Sequence, residues 1–360
     1  MGNYPVNRAM RKTSILGLLL LTFCIVCRFF TPVADFYALH LYPLVSGGLS
    51  RVSSLFPFSL EELVALFFAG YLLAITGIAI RRRQKFMVWL RKTLVMVLWL
   101  FVWAYWGWGN NYYRTGFYER NGIQRISYDE DTFRRFLSDY TCKLNMAAKE
   151  AGTYDQDTLE AEAKAFYSNV VSQYGYARLH PWQHVKKPVI NRLFSAVGVT
   201  GYMGPFFCEA QVNSDVSEGE YPYTMAHELA HLAGVTSEAE ASYWGYAFCR
   251  QSENSAVRYS GFLSLLPYVF LNARNLLTQE EFNAWTMTLC EEAKEDFIAL
   301  QTFWKGKRIA WISDTQKWMQ NLMLKSNGVS SGVSDYLGVV AIVITMDSHL
   351  KSDQRHPSPL

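Results

Sequence analysis

Three apolar runs in the first third of the chain limit what it can fold into more than any other feature. Residues 15 to 27, 60 to 80 and 93 to 109 are dominated by Leu, Ile, Val, Phe and Trp. The last two approach the ~20 residues that cross a bilayer as a helix. The runs predict three membrane helices, at about residues 13–30, 60–80 and 93–109. The first run has a competing reading as a signal peptide, because Arg8, Arg11 and Lys12 precede a short apolar stretch. Arg28, Phe29 and Phe30 continue it without a small-residue cleavage site, which favours a retained helix.

Charge then orients the spans. Arg81, Arg82, Arg83, Lys85, Arg91 and Lys92 crowd the short link between the second and third runs, whereas residues 31 to 59 carry Arg51 as their one Lys or Arg. The positive-inside rule puts that link and the start of the chain in the cytoplasm, and everything after about Asn110 outside. Trp103, Tyr105, Trp106, Trp108, Tyr112 and Tyr113 suit the outer interface, although core packing would use the same residues. Residues 1 to 109 carry a balance of +8 and residues 110 to 360 one of −5. No Lys/Arg stripe interleaved with aromatics occurs outside the membrane part, so nucleic acid is not an expected partner. The apolar runs lack paired charges of the kind a transport pathway uses.

The six cysteines form no pair with CxxC spacing outside the membrane part, so unpaired thiols are expected, with one or two bridges as the alternative. After the membrane part, residues 128 to 150 and 155 to 174 read as a helical hairpin with Gly152 as the stop. A Pro- and Gly-punctuated stretch from 175 to 222 contains a short strand or bent loop near Gly201. Helices are then expected over 223–233, 238–254, 256–276, 279–303 and 309–325. The run 336–346 is too short to span a bilayer and reads as a buried helix. The organisation expected is a membrane region over 1–109, an extracytoplasmic domain over 110–347 and a flexible polar tail over 348–360.

Chemistry concentrates at His227-Glu228-Leu229-Ala230-His231. Residues four apart share one helix face, so two imidazoles can hold one Zn²⁺ while the intervening Glu228 serves as general base on the attacking water. Pro222 stands just before this helix and Gly234 just after it, and Ser237 is placed to N-cap the next. A catalytic zinc takes three protein ligands, and Glu238, the first residue of that second helix, is the candidate third. Glu240 competes for the role. It would be spent if it closed a capping box on Ser237, and carboxylates are in any case common in a first helical turn.

The stretch from Lys186 to Tyr246, with Arg258 to Gly261 and Leu324 to Val329, resembles an uncharacterised family of bacterial multi-pass membrane proteins with a zincin-type motif. That family carries a few N-terminal membrane helices, an HELAH helix and an E-x-E-A-N segment; here Ser242 stands at the last position. A more distant similarity is to zinc peptidases whose third ligand is the first Glu of an E-x-x-A-[DN] pattern, which implies Glu238. The resemblance implies a mainly α, α+β zincin-like domain and a zinc metallopeptidase acting on protein or peptide substrates, with Ser242 weakening the support of a ligand histidine.

Other candidates are less defined. Residues 201 to 213, with Glu209 and Asn213, stand where a substrate-pairing strand would lie, or form a structural edge strand. Tyr259, Arg258 and His180 are candidate oxyanion donors. His180 and His184, separated by Pro181, read as loop residues. An intramembrane protease is excluded by Glu218, Glu220 and Glu238 flanking the motif. Two functions are therefore expected alternatives: a membrane-anchored zinc peptidase on the outer face of the cytoplasmic membrane, or a non-catalytic metal- or partner-binding envelope protein. Glu228 favours the first, since a purely structural site needs no general base. His₂Glu donor sets also accept other divalent ions.

Overall fold

A computed structural model describes residues 6–330 and 338–355. The chain is mostly helical and divides into two compact units: Met1–Thr115 with Gly204–Glu209, and Gly116–Met203 with Ala210–Leu360.

The first unit holds α1 (Val6–Phe29), α2 (Thr31–Phe36), α3 (Tyr42–Ser53), α4 (Glu61–Arg81) and α5 (Phe86–Gly107). Among the described residues, three helices are long and apolar enough to cross a membrane, over Lys12–Phe29, Glu61–Arg81 and Phe86–Gly107. Residues 31–53, to which apolar runs assign no element, are helical: Pro32 and Pro43 start α2 and α3, and a π-helical turn, Tyr37–Leu41, joins them. Tyr37 donates from its hydroxyl to the Trp106 carbonyl at 2.6 Å and packs against Phe23 and Trp106.

α4 begins without a capping side chain of its own. Glu209 supplies it. Its buried carboxylate accepts from Leu60 N at 2.9 Å, Glu61 N at 3.1 Å and Ser59 Oγ at 2.9 Å, and from Ser53 Oγ. A carboxylate there satisfies orphan N–H groups and meets the positive end of the helix dipole. Glu61 in turn accepts from Phe207 N at 2.5 Å, and Trp103 Nε1 donates to the Phe206 carbonyl at 2.7 Å. Gly107 ends α5 where the Pro205 carbonyl leaves no room for a Cβ.

The second unit contains α6 (Phe117–Arg120), α7 (Glu130–Glu150), α8 (Gln156–Asn169) and α9 (Asn191–Val197). The strands β1 (Gly201–Gly204) and β2 (Glu209–Val212) follow, their joined ends lying in the first unit. Then come α10 (Tyr221–Leu232), α11 (Glu238–Gln251), α12 (Ser255–Leu276), α13 (Gln279–Thr288), α14 (Glu291–Lys307), α15 (Ala310–Ser326) and α16 (Val339–Arg355). Side-chain caps start several of them: Asp129 for α7, Asp155 for α8, Asn254 for α12 and a Thr278–Glu281 capping box for α13. α10 and α11 form the centre. α8 packs on α10, α12 and α16 on α11, and α7 on α12. β2 is flanked by β1 and by a parallel bridge to Lys186.

Two expectations change. The helix expected over 279–303 breaks at Leu289 and Cys290, both extended, because Asn145 from α7 offers a substitute partner to each side of the break. Its Nδ2 donates to the Thr288 carbonyl at 2.7 Å and its Oδ1 accepts from Cys290 N at 2.9 Å. Residues 348–355, expected in a flexible polar tail, continue α16 to Arg355; residues 336, 337 and 356–360 lie outside the described residues. Val339, Val340 and Val343 bury the start of α16. All six cysteines are unpaired.

Candidate metal centre

The local sequence builds a helix, a tight turn and a second helix. Pro222 sits in the first turn of α10, where its missing N–H costs nothing, and Gly234 turns the chain with φ +99°, a conformation that excludes most side chains. Ser237 then N-caps α11, accepting from Glu240 N at 3.3 Å. Every residue from Pro222 to Leu232 is buried. Gly245 of α11 lets the two helices close: a Cβ there would stand 3.2 Å from the Tyr223 carbonyl and 3.3 Å from His227 N.

This turn brings three donor atoms together. His227 Nε2 and His231 Nε2 are 3.1 Å apart, and Glu238 Oε2 lies 3.2 Å from His231 Nε2 and 3.4 Å from His227 Nε2. Tetrahedral coordination with bonds of ~2.0–2.1 Å requires ligand separations of roughly 3.3–3.5 Å. The triangle matches that within a few tenths of an ångström. Two ring nitrogens so close cannot both present N–H groups to each other: one donates to the other's lone pair, or both lone pairs face a shared cation. Among the described residues, this is the one group of three or more His, Cys, Asp or Glu that converges in this way.

Neighbours hold the rings. His231 Nδ1 is 2.8 Å from the Val235 carbonyl, which requires a proton on Nδ1 and turns Nε2 toward His227 and Glu238. Ser242 Oγ lies 3.4 Å from His227 Nδ1, so the position that departs from the family pattern still faces that ring. Glu240 points elsewhere. Its carboxylate meets the Tyr176 hydroxyl, Trp244 Nε1 at 3.2 Å and Arg120 at 3.7 Å. Glu238, not Glu240, therefore joins the histidines, and the reason is this buried network rather than a capping box.

Electrostatics separate the acids. Burial pushes Glu228 up to about 8. Burial acts on Glu238 in the same sense, but the adjacent His231 and His227 outweigh it and hold the carboxyl well below its usual range. For His231 burial pulls the ring down while Glu238 more than compensates, and His227 is lowered by burial. Glu228 also touches β1: a Cβ at Gly201 would lie 2.6 Å from its Cγ. Only a glycine allows that approach of strand to carboxylate.

The expected oxyanion donors are engaged in other contacts. Tyr259 donates to Asp296 at 2.7 Å, Arg258 donates to the Ser252 and Glu253 carbonyls, and His180 stacks on Trp182. His184 bonds Glu160 at 2.9 Å. Asn213 donates to the Val199 carbonyl, and Glu209 caps α4. Tyr223 and Tyr268 lie near the three donors. The Tyr223 ring is 6.2 Å from that of His227, and both hydroxyls neighbour Ser242 and feel Glu238. Tyr223 was within reach of helix-face reasoning, being four residues before His227. Tyr268, on α12, carried no local signal.

A family model described as a protein of unknown function (DUF3810) matches residues 37–344. Neither the curated proteins nor the solved structures contain a match. With two of the long apolar helices, α4 and α5, and the buried pair α10 and α11 inside the matched range, the chain belongs to this DUF3810 family.

Proposed function

We propose that this protein is a membrane-anchored zinc-dependent metallopeptidase with a zincin-like catalytic domain, hydrolysing peptide bonds of protein or peptide substrates on the outer face of the cytoplasmic membrane. The observation that carries the reading is the triangle of His227 Nε2, His231 Nε2 and Glu238 Oε2 with Glu228 on the intervening helix position. Zinc bound there supplies a Lewis acid and makes a water nucleophilic near neutral pH. Glu228 takes the proton of the attacking water and returns it to the leaving amine. Burial raises its proton affinity, and a dication on the adjacent donors would lower it again, so that the carboxylate can accept a proton and then give it up. The Nδ1 partners, Val235 and Ser242, keep both rings aimed. β1, the outer strand that contacts Glu228 through Gly201, suits an extended peptide laid alongside it.

The test is cleavage of a synthetic peptide library by the purified full chain in nanodiscs. Wild type should cut a subset of peptides, and Glu228→Gln should cut them about 10²–10⁴-fold more slowly while keeping its zinc. Equal rates in the two proteins would remove Glu228 from the chemistry and sink the peptidase reading.

A further inference from the structure

α15 exposes an apolar face to its surroundings. Trp311, Trp318 and Leu322, at spacings of seven and four residues, stand in one line along the helix; Trp311 is 73% exposed and Trp318 64%. Met319 and Met323 widen the stripe and are also exposed. The opposite side holds the helix to the protein: Ser313 Oγ donates to the Val197 carbonyl at 3.1 Å, and Leu324 is buried. The stripe is thus not a core surface.

Its surroundings name the occupant. From Phe303 to Ser326 the chain carries Lys305, Lys307, Arg308, Lys317 and Lys325 against Asp314, all six exposed, with Lys307 paired to Asp215 at 3.0 Å. Tryptophan pairs an apolar body with a polar N–H and collects at membrane–water boundaries, and a helix with Trp and Leu on one face and Lys on its flanks is the pattern that lies in a bilayer interface. Anionic headgroups complement those flanks. Three helices long and apolar enough to cross a membrane keep the same chain at such a surface. We propose that α15 is an interfacial helix whose Trp311–Trp318–Leu322 face inserts into the headgroup region of an anionic phospholipid bilayer. This rests on exposure and charge, and does not depend on the metal centre.

The test uses the full chain with Cys142→Ser and Cys290→Ser, carrying Trp318→Cys, Leu322→Cys or, toward the packed side, Lys317→Cys, each labelled with an environment-sensitive fluorophore. The proteins are placed one per nanodisc of phosphatidylglycerol and phosphatidylethanolamine, with or without brominated acyl chains. Labels at 318 and 322 should be quenched severalfold more by brominated lipid than the label at 317. Hydroxyl-radical footprinting of the unmodified chain in the same discs should protect Met319 and Met323 while Met287, 79% exposed on α13, oxidises. Unquenched labels with freely oxidised Met319 and Met323 would return the face to solvent and overturn the proposal. Protected methionines with unquenched labels would assign the face to a protein contact and overturn it equally.

Discussion

Gly201 and Glu228 are packed so closely that a methyl group on the glycine would stand 2.6 Å from the glutamate Cγ. Gly201→Ala must displace the carboxylate or the strand. Overpacking of this kind costs about 1–3 kcal/mol. The variant is expected to unfold at lower temperature and to lose peptide cleavage while retaining zinc, because none of the three donors is touched. Thermal unfolding, metal content and cleavage on one preparation check this; a variant as active as wild type would contradict it.

Ser242 supports His227 through Nδ1, at 3.4 Å. Removing such a partner costs about 10–100-fold in metal affinity. Ser242→Ala is therefore expected to weaken zinc binding by about tenfold with little effect on folding, read by competition with a chromophoric chelator. An unchanged affinity would show that the hydroxyl does not orient the ring.

Chelation should destabilise the protein. A ligand that binds only the folded state at 100 times its dissociation constant contributes about 2.7 kcal/mol. Stripping wild type with a chelator is expected to lower its unfolding temperature and zinc to restore it, whereas His227→Ala should respond to neither treatment. A stripped wild type with unchanged unfolding temperature would argue against a metal bound in the folded state.

Glu209 is expected to matter for the first unit alone. Glu209→Ala leaves the N–H groups of Leu60 and Glu61 without their carboxylate, at about 1–3 kcal/mol. The unfolding temperature in nanodiscs should fall accordingly. No change would mean that water or another group caps α4 equally well.

What was legible in the sequence is what depends on near neighbours along the chain. The three apolar helices, the i, i+4 histidines, the Gly234 turn and the Ser237 cap are local, and Glu238 follows from them by geometry over a few residues. What was hidden depends on partners far apart. Glu209 as the cap of α4 joins residues about 150 positions apart, and Asn145 breaks the helix expected over 279–303 from a similar distance. Glu240 is excluded as a ligand by Tyr176, Trp244 and Arg120, two of which lie more than 60 residues away. Residues 31–53 escaped because short helices joined by a π turn show neither a long apolar run nor a clean period.

The metal content of the purified full chain, measured by mass spectrometry in wild type, His227→Ala and Glu228→Gln, tests the metal centre directly. Near-stoichiometric zinc is expected in wild type and Glu228→Gln, and its loss in His227→Ala. Folded protein without metal in all three would contradict that expectation.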